Sequence, residues 1–321
     1  MPLFVGSGTT SGGGFEAQSS QSGIPTSTSD PQNANVGDVY VQRVGTGATM
    51  KLYDGVSWNQ VGGAQNIVPS ISGGDPYAPA DGFYEIRVFT SPGTLTISSR
   101  DVDAEAIIIA GGGGGGTTPS TPNAGGGGAG GVIGTTITLS PGSYPIGVGT
   151  GGYGGHPSNN SGCPGGNTTF NGFTAIGGGG GGGNGPGAAG LPGGSGGGGG
   201  CGSAGPGGSG TFGQGFEGSP SSPTLSGGGG GYAGGPATPS NCGRCAGGAG
   251  MFEWALPTTV CGTSPQTGAT LFAGGGAISC SCPPGGGFYG TGGYGGNPLS
   301  PTCRAIPGCD GAVFIRFKKC Q

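Results

Sequence analysis

The chain has 321 residues, of which 91 are glycine and only 7% are charged, and its net charge is −4. Glycine normally makes up about 7% of a protein, so this composition lies outside the globular norm, and so little positive charge leaves no basic stripe to neutralise phosphates. Nucleic acid and anionic membrane are therefore not expected partners, and no apolar run approaches the roughly 20 residues of a membrane-spanning helix.

Residues 1–35 are rich in Ser, Thr, Gly and Gln with almost no apolar periodicity, which predicts an extended attachment arm that orders against a partner, or plain disorder. Residues 36–63 alternate apolar and polar side chains through "VYVQRV", "MKLY" and "VSWNQV", with Asp54-Gly55 as a hairpin signal, and predict a small β-meander. Residues 64–82 read as a Pro/Gly linker, and residues 83–321 as one glycine-rich domain. Within that domain strands are expected in "FYEIRVFTSPGTLTIS" with a turn at Ser91-Pro92-Gly93, then in "VDAEAIIIA", "VIGTTITL", "YPIGVG", "NTTFNGFTAI" and the terminal "GAVFIRFK". Gly and Pro interrupt every window of helical length, so the fold class is all-β.

Of the 91 glycines, 73 fall between residues 111 and 300, in runs that begin at 111, 177, 196 and 227. Ordering a glycine backbone costs about 1–2 kcal/mol and returns nothing through side-chain burial, so flexible linkers and irregular loops are one reading. The other is ordered packing. Left-handed helices with three residues per turn point every N–H and C=O outward, and without Cβ atoms such rods can lie side by side and bond to one another. A small β-framework or sandwich carrying packed polyglycine II helices is the preferred expectation.

"VFTSPGTLTI", "VDAEAIIIAGGGGGG", "AGGGGAGGVIGTTITLSPGSYPIGVGTGG", "GGNTTFNGFTAIGGGGGGG" and "GAVFIRF" together resemble, in order, the glycine-rich domain of tailed-bacteriophage tail-fibre and related surface proteins. The shorter "GDVY…LYDG..W..VG" pattern resembles small hairpin modules of phage appendage proteins. The main resemblance covers about residues 83–319 and implies a β-framework with glycine-rich loops or polyglycine II helices projecting from it. It brings no catalytic residues, and the chain departs from it in its cysteine-rich insertions between about 236 and 309.

All ten cysteines lie late in the chain: Cys163, Cys201, Cys242, Cys245, Cys261, Cys280, Cys282, Cys303, Cys309 and Cys320. An even number in Gly/Pro loops predicts up to five disulfides stapling those loops, and a final location outside a reducing cytosol. Cys242-Gly-Arg-Cys245 with Cys280-Ser-Cys282 leaves a zinc site as the weaker alternative, since the second pair is a CxC. The start of the chain shows no secretory signal. A protein made in a host cytoplasm and destined for the outside fits a virus particle.

Side chains concentrate between the glycine runs, where they are expected to become tip loops. Tyr232, Asn241, Arg244, Phe252, Trp254, Phe288, Tyr289 and Tyr294 are the receptor-binding candidates, since flat aromatics bury much area and Tyr and Trp add a polar handle. Phe252 and Trp254 fit a mini-core under the disulfides equally well. His156 is the sole histidine and sits in a turn-like "GGHPSNN", no carboxylate pair stands out, and the many GxGxxG matches arise by chance in polyglycine. Neither catalysis nor a cofactor or metal is expected. The function expected is that of a virion structural protein, a tail-fibre or baseplate-associated adhesin. It would attach to other virion proteins by its N-terminal region and hold a host surface glycan or outer-membrane protein at its tips. A capsid decoration protein or head fibre is the alternative, a cellular surface or ice-binding protein a lesser one. By analogy with fibres a homo-oligomer is expected, a trimer first.

Overall fold

A computed structural model describes residues 26–44, 47–62, 70–77, 84–118, 124–155, 160–183, 188–200, 205–222, 226–232, 275, 289–293, 295 and 305–318. The chain divides into two compact units, residues 1–69 and 70–321. Among the described residues there are only strands, turns and extended segments, so the fold is all-β.

The first unit holds one sheet in the order β1 (Thr26–Ser27), β2 (Val39–Val44), β3 (Gly47–Tyr53) and β4 (Trp58–Gly62). The three expected meander strands are present, and β1 adds a parallel neighbour to β2 from within the expected arm. Residues 26–35 thus order against the module itself. The reason lies in a polar clasp: Asp30 accepts from the Tyr40 hydroxyl and from the Lys51 ammonium, and the Trp58 indole N–H donates to the Pro31 carbonyl at 3.0 Å. The buried Tyr40 ring meets Trp58 edge-on at 4.6 Å, a compact aromatic centre for so small a sheet. At the β3–β4 turn the Asp54 carboxylate accepts the amides of Val56 and Ser57.

The second unit is built on two five-stranded sheets. One runs β10 (Val132–Leu139), β9 (Val102–Ile109), β14 (Ala312–Lys318), β7 (Tyr84–Phe89), β6 (Asp75–Tyr77). The other runs β13 (Phe173–Ala175), β12 (Thr168–Phe170), β11 (Gly142–Gly147), β8 (Gly93–Ser98), β5 (Ser70–Ser72). Alternation sends Ala104, Ala106, Ile108, Val313, Ile315 and Phe317 inward onto Leu95, Ile97, Ile146, Phe170 and Ala175 of the facing sheet, and these form one core. The expected linker is corrected here, since residues 70–77 are framework. Gly73 and Gly74, both at positive φ, turn the chain from β5 in one sheet to β6 in the other. Ser91-Pro92-Gly93 does the same between β7 and β8, which pair in different sheets.

From Ala110 the chain leaves β9, and the partners of its amides change with a period of three. Ala110, Gly113 and Gly116 donate to the carbonyls of Gly131, Gly128 and Gly125. Gly111, Gly114 and Thr117 donate to Gly166, Cys163 and Asn160, while Gly112 and Gly115 donate to Cys309 and Ile306. A strand alternates between two directions and an α-helix keeps its bonds within itself; this backbone addresses three neighbours in rotation. Segment 194–200 lies in the middle of the array. Its amides reach Gly177, Ala129 and Gly126, Phe216 and Ser219, and Leu191 and Ala188. Its carbonyls accept from Gly179 and Gly182, Gly208 and Thr211, and Gly227 and Gly230. At these glycines the spacing admits no side chain: a Cβ on Gly113 would land on the carbonyl of Gly179, and one on Gly197 on that of Gly180, while Ser195 alone in segment 194–200 keeps a side chain, fully buried. Where a Cβ is present it has somewhere to go. Ala129 enters the second apolar cluster, with Ile86, Val88, Ile107, Ile109 and Phe314 on the outer face of the β9 sheet.

Candidate recognition surface

One turn between glycine segments combines a rigid base with exposed aromatic side chains. Gln214 and Gly215 donate their amides to the Thr211 carbonyl at 3.0 and 3.1 Å, Gly213 takes φ +75°, and the Thr211 hydroxyl donates to Gly193. Gln214 ties this turn to the framework: its Oε1 accepts the amide of Ile176 at 2.8 Å, its Nε2 donates to the Thr174 carbonyl, and its own carbonyl accepts from Val132 at 3.0 Å. Phe212 is fully exposed on top at 102%, and Phe216 is 46% exposed, with Glu217 exposed beside it. Tyr153, 78% exposed, projects from another array segment, where its carbonyl accepts from Cys163. An aromatic ring held wholly in water on a fixed turn contributes nothing to the fold and offers its full area to a partner.

The sequence-derived candidates divide differently. Tyr232 and Tyr289 are partly buried and pack on the cluster of Ile107, Ile109 and Phe314, with the Tyr289 ring edge-on to Phe314 at 5.8 Å. The structure therefore sets these two against the framework. Asn241, Arg244, Phe252, Trp254, Phe288 and Tyr294 lie outside the described residues, as do His156 and Cys201, Cys242, Cys245, Cys261, Cys280, Cys282, Cys303 and Cys320. Cys163 has an exposed thiol, and Cys309 is half-buried. Both sit on array segments next to the first glycine run, with their carbonyls accepting from Gly114 and Gly112. Phe212 and Phe216 escaped the sequence reading because "TFGQGFEG" shows no partner for either ring. The usable signal was Gln214, a lone amide side chain among glycines, well suited to bonding backbone.

Charge is used for structure on the framework. Arg316 pairs with Glu105 across β14 and β9 and lies 4.5 Å from the Tyr84 ring centroid, and Arg87 pairs with Glu85 and donates to the Ile71 carbonyl of the facing sheet at 2.7 Å. In the N-terminal sheet, hydrogen bonds from Lys51 and then Tyr40 hold the Asp30 carboxyl below its usual range, against a smaller desolvation effect. Burial, and then Asp30, push the Tyr40 hydroxyl upward. Among the described residues no cluster of His, Cys, Asp and Glu is arranged to hold a metal ion.

Two apolar-cored sheets bearing a hydrogen-bonded array built mostly of glycine backbone, with isolated aromatics at its turns, define a glycine-rich all-β protein. The chain belongs to the glycine-rich domain family, whose model matches residues 90–318. No curated protein matches the chain.

Proposed function

We propose that this protein is a virion structural protein of a tailed bacteriophage, a tail-fibre or baseplate-associated adhesin attached through its N-terminal region. In this reading the array segments are polyglycine II helices, stapled by disulfides at their loops, and the turns between them bind a host surface glycan or outer-membrane protein. The observation that carries it is the fully exposed Phe212 on a turn clamped by Gln214. A scaffold whose interior is mostly glycine backbone leaves its larger side chains free for contact. The resemblance of the motifs from residues 83 to 319 to phage surface proteins supports the same reading. Several copies engaging at once would raise weak turn contacts to firm attachment.

The test is binding of the full chain to cells that the parent virus infects, beside Phe212→Ala and Phe216→Ala, with the protein also located in purified particles. Saturable binding lowered about tenfold or more by Phe212→Ala, as expected for a contact hot spot, supports an adhesin. Folded protein that binds no such cell, and is found on the capsid, replaces the adhesin with a decoration protein or head fibre.

A further inference from the structure

Among the described residues the second unit has four sheet edges, and they are treated unequally. β5 and β13 are three residues long, and β6 is as short and carries Asp75 and Pro76. Short strands, charges and proline are the means by which proteins keep edges from pairing. The fourth edge, β10, is eight residues of "VIGTTITL" with no charge and no proline, and it pairs with β9 residue for residue from Val132 to Leu139 without a bulge.

The outer side of β10 is open for most of its length. Val132 points its amide away from β9, onto the Gln214 carbonyl at 3.0 Å. The two-residue alternation of an antiparallel ladder then directs the N–H and C=O of Gly134, Thr136 and Thr138 outward as well. All three residues are exposed, and among the described residues no hydrogen bond reaches their amides. A Cβ at Gly134 would meet nothing within 4 Å.

We infer that β10 is a pairing edge whose occupant is β10 of a second copy of this chain, joined antiparallel about a two-fold axis through Thr136. That register sets Thr136 opposite Thr136 and Gly134 opposite Thr138, so each exchanges both backbone bonds with its mate and every open amide is used. The capped Val132 stays outside the pairing, which is why the axis falls at Thr136 and not at Gly134. The strand is self-complementary because it is uncharged: no like charges meet across the axis, and threonines face threonines or glycine, a favourable cross-strand combination. On the core side the half-buried Ile133 and Ile137 meet Leu139 and Thr135 of the second copy, which extends the apolar core across the joint. Such an interface is isologous and closes at two chains.

Sedimentation equilibrium of the full chain at micromolar concentration tests this, with Thr136→Lys and Thr136→Glu measured separately and mixed. The wild type is expected at twice the chain mass. Each variant alone places like charges opposite one another and should dimerise about tenfold or more weakly, with the far-ultraviolet circular dichroism of the wild type retained because Thr136 is exposed. Mixing the two variants should restore the dimer through the Lys–Glu pair. A wild type at single-chain mass, variants that dimerise as tightly as wild type, or a mixture no better than its components would each overturn the inference.

Discussion

The β-sandwich and the glycine array share one chain and one hydrogen-bonding rule, yet they exclude water by opposite means. In the sandwich, Leu95, Ile108, Phe170 and Val313 are fully or almost fully buried, and each strand bonds in two directions while its side chains fill the space above and below. In the array few side chains intervene, the buried Ser195 and Ala129 among them, the backbone bonds in three directions, and close approach of carbonyls takes the place of apolar filling. A side-chain core tolerates a lost methyl better than a backbone core tolerates a gained one, because side chains relax by rotation and a backbone relaxes only by breaking its bonds.

The largest effect expected is at a side-chain cluster, on the outer face of the β9 sheet. Phe314→Ala, which opens a cavity under Tyr289 and between Ile107 and Val88, should cost about 3–5 kcal/mol in chemical denaturation. Gly113→Ala adds one carbon where the Gly179 carbonyl already stands, and should cost about 3 kcal/mol, the upper end of overpacking. Ile108→Val removes one carbon from an equally buried site and should cost about 1 kcal/mol. If the two one-carbon changes proved equal, the contrast between the two kinds of core would be lost. Gln214→Ala leaves the amide of Ile176 without its partner and should cost about 1–2 kcal/mol while releasing the Phe212 turn, seen as faster proteolysis there. Gly134→Ala, a glycine in open space on a strand, should change stability by less than about 0.5 kcal/mol.

The N-terminal sheet adds a pH test. The folded Asp30 carboxyl titrates below the ordinary aspartate value of 3.8. Its stabilising contribution is thus complete above that value and is lost as pH falls through the lowered one. Tryptophan fluorescence should report acid weakening of the Trp58 environment, and Asp30→Asn should remove that acid dependence.

Much of the framework was legible in the sequence. β9, β10 and β14 fall within a residue of the apolar runs that announced them, whereas "NTTFNGFTAI" divides into β12 and β13 at Asn171-Gly172, both at positive φ. Residues 70–77 were not legible, since "SISGGDPY" reads as a linker until Gly73-Gly74 is seen to turn between sheets. Nor was the ring placement. Tyr232 and Tyr289 flank polyglycine in sequence and look like tip residues, but the array folds back so that both meet Phe314's cluster. Phe212 gave no signal because an exposed ring on a turn has no periodic partner.

The three-residue repeat of the array carries a cost in specificity. Sliding a glycine segment by three residues would present the same donors and acceptors to the same neighbours, so its interior cannot distinguish the native register from its translated copies. Only the irregular residues can, among them Ala129 in its apolar cluster, Gln214 holding Val132 and Ile176, and Asn167 and Asp310 accepting the amides of Gly177 and Gly151. These few side chains act as index pins, and removing one is expected to leave a chain that bonds as fully as before but in several offset assemblies, each a kinetic trap on the way to the native one.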